Sequence, residues 1–174
     1  MKKDNIVLIG FMGSGKSTIG IRLSYRMRRV VEDTDKLIER RTKRKISDIF
    51  ALEGEPYFRE LETQLLKELI QKCQGYIISV GGGTPVKEEN RELLKQLGTV
   101  VYLRVKPETV YKRLKNDTTR PLLQCEDPLE KICTLLADRK EAYEECADII
   151  IDVDDLSLDK IVERIQPVQK EGKI

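Results

Sequence analysis

Short, almost wholly apolar runs alternate along the chain with longer segments in which apolar residues recur every three or four positions. The runs Ile6–Ile9, Val30–Val31, Tyr76–Val80, Val100–Val105 and Ile149–Val153 are brief and rich in β-branched residues. That pattern predicts strands covered on both faces, because a strand with one wet face would alternate apolar and polar side chains. The segments between them predict helices: Lys16–Met27, Glu55–Cys73, Lys87–Leu97, Glu108–Lys115, Leu129–Cys146 and the closing Leu158–Ile165. In the second of these, Leu61, Leu65, Leu66, Leu69 and Ile70 fall on one side of a helix. Strand-helix alternation predicts an α/β fold, a parallel sheet with helices on both faces. With 174 residues, no internal repeat and no low-complexity linker, residues 1–174 read as a single domain with its own core.

Composition narrows the class of protein. The 32 basic and 30 acidic residues leave a net charge of only +2, which gives no support for a general nucleic-acid or membrane-surface binder. No apolar stretch approaches the ~20 residues of a membrane span. The start, MKKDNIVLIGF, is charged, but Ile6–Ile9 is short against the ~7–15 apolar residues of a signal peptide. A soluble, cytoplasmic protein is the expectation. There is no histidine, so His-based triads and His-ligated metals are excluded. Cys73, Cys125, Cys133 and Cys146 form no CxxC pair and are expected to be free thiols. The basic run Glu39–Lys45, ERRTKRK, sits among acidic neighbours and is expected to be a solvated helix end.

The strongest chemical signal is GFMGSGKS, Gly10–Ser17, lying between the first strand and the first helix. It fits G-x-x-x-x-G-K-[ST], the phosphate-binding P-loop. Glycines let backbone N–H groups turn inward around phosphate oxygens, and the helix N-terminus adds partial positive charge. Lys16 would neutralise β- and γ-phosphate charge, and the Ser17 hydroxyl would ligate Mg²⁺. Gly13, Ser14, Gly15, Lys16, Ser17 and Thr18 are the expected ATP-binding residues of the loop. The motif establishes nucleotide binding and leaves the second substrate open.

Four further segments address the acceptor. Asp33 and Asp35, in DTD, follow the second strand, and ligands of open α/β sheets bind beyond the carboxyl ends of strands. One carboxylate could hold a water on Mg²⁺ and the other could meet a hydroxyl; helix N-capping is the competing reading, and the residues alone leave both open. In Asp48–Glu62, DIFALEGEPYFRELE, Phe50 and Phe58 accompany Arg59, with Glu62 three residues on. A guanidinium beside aromatic walls suits a small, partly apolar anion and can grip a carboxylate with two bonds. Gly81, Gly82 and Gly83 end the third strand, where a ligand can approach the backbone closely. Arg113 and Arg120 flank KNDTT, placing an arginine where it could fold over a triphosphate, and Arg139 is a second candidate anion clamp.

Taken in order, GFMGSGKS, DTD, IF…GEPYFRELE, GGGTP, RPLL and the Arg139 helix resemble shikimate kinase, from about Ile6 to about Asp154. The resemblance implies a P-loop kinase with a five-stranded parallel sheet of order 2-3-1-4-5. It implies a helical substrate-binding insert at about 33–62 and a lid at about 113–126. The implied reaction transfers the ATP γ-phosphate to the 3-hydroxyl of shikimate, in aromatic amino-acid biosynthesis. By the same resemblance Asp35 binds the shikimate hydroxyls and Arg59 and Arg139 clamp its carboxylate. Gly81–Gly83 also contact the substrate, and Phe50 and Phe58 wall it. Lys16, Ser17 and Asp33 (through water) serve phosphate and magnesium. Arg120 is the lid arginine, catalytic together with Lys16 and Asp35, and Arg113 lies near the adenine. Lys43 stands where the family usually has glycine. A monomer is expected, with shikimate and ATP as its partners and neither nucleic acid nor membrane. The alternatives are a gluconate-type or nucleoside monophosphate kinase, or a nucleotide-binding switch without transfer chemistry; the absence of an NKxD segment counts against a GTPase-like switch.

Overall fold

The computed structural model describes residues 3–119 and 123–166. Five strands, β1 (Ile6–Ile9), β2 (Val31–Asp33), β3 (Ile77–Ser79), β4 (Thr99–Arg104) and β5 (Ile149–Asp152), form one parallel sheet in the order β2-β3-β1-β4-β5. Around it lie α1 (Lys16–Met27), α2 (Thr34–Thr42), α3 (Ile46–Glu53), α4 (Glu55–Lys72), α5 (Glu88–Leu97), α6 (Pro107–Leu114), α7 (Pro128–Cys146) and α8 (Leu158–Ile165). A single 3₁₀ turn, Thr84–Val86, follows β3.

The expected sheet order and the all-apolar character of the central strands both hold. Every residue of β1 is buried, as are Val100–Leu103 of β4, because helices cover both faces. Three elements depart from the expected pattern. At one edge of the sheet β5, expected to be covered on both faces, leaves Ile150 and Asp152 exposed, because among the described residues no strand or helix covers that side of it; only Ile151 is fully buried. The strand expected at Val30–Val31 runs from Val31 to Asp33, paired with Ile77–Ser79. As an edge strand only half-buried, it tolerates Glu32 and Asp33, which no hydrophobic pattern flags. Helix α3 was not anticipated as a separate element. It ends at Gly54, whose φ of 84° lets the chain turn into α4, with Pro56 inside the first turn.

Local chemistry sets other boundaries. Asp33 caps α2, accepting from the Lys36 N–H at 3.1 Å, and Asp127 caps α7 from the Glu130 N–H at 2.9 Å. Lys43 ends α2 in the left-handed region, with φ of 54°, the conformation glycine adopts without strain. The basic run is tied down by Arg40–Glu32, Arg41–Glu68 and Arg44–Glu53 ion pairs, as a solvated helix end would be. All four cysteines are free, with Cys73 and Cys146 buried. No helix among the described residues is long and apolar enough to cross a membrane.

Because β2, β3 and β1 are neighbours, their carboxyl ends bring three loops together. Asp33 of β2 lies in register with Ser79 of β3, and Leu8 of β1 with Ser79 on its other side. The P-loop, the DTD segment and the glycine loop therefore open onto one edge of the sheet.

Candidate active site

The P-loop is a cradle built from its own backbone. Gly13 and Gly15 take φ of 75° and 98°, and Gly15 sits at the N-cap of α1 without a side-chain cap. No acidic residue occupies the first turn of α1, so its N–H groups and dipole have no local anion to answer them. The Ser14 hydroxyl is buried without a hydrogen-bond partner. A buried donor in that state is costly unless a ligand meets it, and the loop's geometry suits phosphate. Lys16 arches back over the loop, donating to the Gly10 carbonyl at 2.7 Å and the Phe11 carbonyl at 3.1 Å. Its charge is thereby held above the cradle. Arg113, on α6, donates to the Gly13 carbonyl at 2.7 Å, which ties α6 to the same loop. Ser17 and Thr18 are exposed at the head of α1.

The two aspartates of DTD divide the readings that competed for them. Asp33 is the helix cap, and the cap uses one carboxylate oxygen, Oδ1. Asp35 is within the first turn of α2 and turns a buried Oδ1 toward Gly81, where an added Cβ would lie 2.8 Å from it. Thr34, between them, accepts from the Gly81 N–H at 3.2 Å and so fixes α2 to the glycine loop.

Opposite Asp35 stands a buried acid-base cluster. Glu62, 1% exposed, accepts from Arg59 at 2.7 Å and from the Thr84 hydroxyl. Glu55 holds the other edge of the guanidinium, with bonds of 2.8 and 3.2 Å. Burial pulls the Arg59 pKa down, but Glu62 and Glu55 outweigh it and leave it raised, so the side chain remains cationic. Phe58 lies beneath the guanidinium, 5.5 Å from ring centre, and stacks with the half-open Phe50 at 4.9 Å. The glycine loop presses against this cluster: a Cβ on Gly83 would collide with the Arg59 guanidinium.

Arg139 enters from α7. Its guanidinium lies over the Phe11 ring at 5.6 Å, and a Cβ on Gly82 would sit 3.6 Å from its Nη1 and 3.6 Å from the Met12 amide nitrogen. Arg139 thus stands between the glycine loop and the P-loop. The structure brings together every acceptor residue read from sequence, Asp35, Phe50, Phe58, Arg59, Gly81, Gly82, Gly83 and Arg139, around one edge of the sheet. Arg120, with Pro121 and Leu122, lies outside the described residues. Leu123 is buried beyond them, beside a cleft of about 790 Å³ lined by α6, residues 115–118 and the start of α7.

The sequence reading missed Thr34, Thr84 and Tyr143. Thr34 and Thr84 carried a faint signal as the polar residues inside DTD and GGGTP; Tyr143 carried none.

Among the described residues no cluster of three or more acidic or sulfur side chains could hold a metal by itself. Mg²⁺ is commonly held by one or two protein oxygens plus phosphate and water, so a Ser17 hydroxyl and an Asp33 carboxylate are a fitting donor set.

Comparisons with known proteins identify the family and the fold. The family model described as Shikimate kinase matches residues 12–169. A shikimate kinase from Sulfurihydrogenibium is 45% identical over 161 residues, covering 92% of this chain and 95% of its own. The solved structure of shikimate kinase from Acinetobacter baumannii in complex with shikimate superposes with a TM-score of 0.90 at 38% identity, covering 98% of this chain and 94% of that one. A deoxyadenosine kinase from M. mycoides, at 19% identity and a TM-score of 0.57, shares the fold alone.

Proposed function

Because the chain belongs to the shikimate kinase family, we propose that this site transfers the γ-phosphate of ATP to the 3-hydroxyl of shikimate, giving shikimate 3-phosphate and ADP. The reading is supported above all by one observation. Arg59 and Arg139, each backed by an aromatic ring, flank the Gly82–Gly83 backbone beside a nucleotide cradle. Two guanidiniums at that spot suit an acceptor carrying a carboxylate, and the aromatic walls suit an apolar ring.

In this reading Asp35 meets the acceptor hydroxyl, while Arg59 and Arg139 fix the carboxylate at the other end of the ring. The glycines admit the substrate against the backbone. Phosphoryl transfer forms the bond from acceptor oxygen to Pγ as the bond from Pγ to the β-phosphate oxygen breaks; the hydroxyl proton is released, and negative charge moves toward ADP. Lys16, the Ser14 hydroxyl and the N-terminus of α1 stabilise that charge. Ser17 and, through water, Asp33 would hold Mg²⁺, which would supply charge neutralisation between the phosphates. Arg113 sits beside the nucleotide, and Arg120 closes over the γ-phosphate from the lid at about 113–126. Residues at about 33–62 form the acceptor insert of a single domain, which acts as a monomer in the cytoplasm.

The test is ADP release measured in parallel with shikimate, gluconate and nucleoside monophosphates. Turnover with shikimate alone is the expected result. Preference for gluconate or a nucleotide acceptor overturns the reading, and nucleotide binding without ADP release under any acceptor makes the chain a switch.

A further inference from the structure

Tyr143 lies on α7 one turn beyond Arg139 and is fully buried. Its hydroxyl donates to the Gly82 carbonyl at 2.6 Å, across 61 residues of sequence. A phenol has one proton to give, and that proton is committed to Gly82. The Arg139 guanidinium stands against the same residue, its Nη1 3.6 Å from where a Gly82 Cβ would lie. Gly82 is thus held at its carbonyl by the phenol and faced by Arg139. Burial pushes the phenol up from its usual range, so it stays a neutral donor at any physiological pH. Across a trans peptide the Gly83 N–H is antiparallel to the Gly82 carbonyl, so this bond turns it away from α7.

We propose that Tyr143 is a positioning residue for acceptor recognition: its hydroxyl sets the Gly82–Gly83 peptide against which the Arg139 guanidinium stands. The turn is held independently farther on. Arg91 donates to the Pro85 and Val86 carbonyls, each at 3.0 Å, and pairs with Glu145 of α7 at 3.0 Å. Loss of the Tyr143 hydroxyl therefore loosens the glycine peptide without releasing the whole loop. The aromatic ring is fixed separately by its stack on Tyr102, 4.9 Å away, so removing the oxygen leaves the packing in place.

The inference rests on the acceptor reading above, which wild-type turnover with shikimate tests on its own. The decisive comparison is Tyr143→Phe against Tyr102→Phe, the same chemical change in the stacked neighbour. For each, steady-state constants are measured with shikimate, with its carboxamide and with ATP. Losing one buried hydrogen bond corresponds to roughly a tenfold effect. Tyr143→Phe is expected to raise the apparent KM for shikimate about tenfold and to cut the preference for shikimate over the carboxamide by a similar factor. The KM for ATP should stay within about twofold, and Tyr102→Phe should match wild type on all three. An unchanged acceptor preference overturns the proposal, as does a loss shared equally by shikimate, carboxamide and ATP. If Tyr143→Phe is too unstable to assay, 3-fluorotyrosine at position 143 decides: it keeps the ring and changes only the hydroxyl's hydrogen-bond strength, and an unaltered preference for shikimate over the carboxamide there overturns the proposal.

Discussion

The phosphate cradle and the proposed acceptor pocket sit side by side at one edge of the sheet, yet they are assembled differently. The cradle is a continuous stretch, Gly10–Ser17, and its shape follows from left-handed glycines and the head of one helix. The pocket gathers Asp35 from α2, Phe50 from α3, Arg59 and Glu62 from α4, the glycine loop after β3 and Arg139 from α7. Their satisfaction differs too. The cradle leaves helix N–H groups and the Ser14 hydroxyl to be answered by a ligand, whereas the pocket's Arg59 is already paired with two glutamates. A site awaiting a highly charged ligand can expose donors; a site choosing among small organic acceptors must hold its guanidinium still. Injury to the cradle should strike turnover with every acceptor, and injury to the pocket should strike acceptor recognition alone.

The largest effect is expected at the cradle. Lys16→Met removes a charge aimed at the transferring phosphoryl group, and such terms are worth about 3–4 kcal/mol, or about 10²–10³ in turnover. The melting temperature should change little, because Lys16 donates to carbonyls of its own loop and ties no separate elements together through them. Near-wild-type turnover in that variant would remove the P-loop from the mechanism.

Gly83→Ala should come next, and should separate the halves most cleanly. Its backbone φ of −90° suits alanine, so the strain is not in the chain. The new Cβ instead displaces an Arg59 guanidinium that Glu62 and Glu55 hold in place. Loss of a charge-assisted grip is worth about 1.5–3 kcal/mol, so kcat/KM for shikimate should fall by about 10- to 100-fold. Nucleotide affinity, read by equilibrium titration, should be unmoved; a parallel drop in both would join two regions described here as separable.

A milder version is Arg59→Lys, which keeps the charge but loses the planar two-bond fork. Shikimate KM should rise about tenfold. An unaffected KM, or equal use of an acceptor lacking the carboxylate, would remove Arg59 as the clamp.

The smallest effect lies outside both halves. Lys43 holds a left-handed conformation that glycine accepts at no steric cost. Lys43→Gly should stabilise by about 0.5–1 kcal/mol, raising the melting temperature by about 1–4 °C. Activity should be unchanged, and a lower melting temperature would show that Lys43 contributes contacts beyond its backbone angle.

How much could be read before folding varies in the same way across the molecule. The central strands and α1 and α8 were legible because local apolar period and capping suffice to specify them. β2 was legible only at its first residue, since Glu32 and Asp33 join the sheet through the ladder with β3 and not through hydrophobicity. The separate helix α3 escaped because only Ile49 of its eight residues is fully buried, leaving no clear apolar stripe. In the site, residue types announced charge and aromatic walls, but which of Asp33 and Asp35 caps α2 stayed open until the start of that helix was located.

By itself, the sequence determined the alternation of strands and helices, the P-loop and its position after β1, and the residue types that an anionic acceptor needs. These depend on interactions within a turn or two of chain, where dihedral preferences and i to i+4 contacts act directly. The tertiary structure alone decided that Asp33 caps while Asp35 faces Gly81, that Arg59 and Arg139 flank the same glycines, and that Tyr143 joins two of the site's parts. Those contacts exist because the order β2-β3-β1 sets three loops side by side and packs α7 against them. Such neighbours, far apart in the chain, are fixed by how the helices cover the sheet, and no local spacing encodes them.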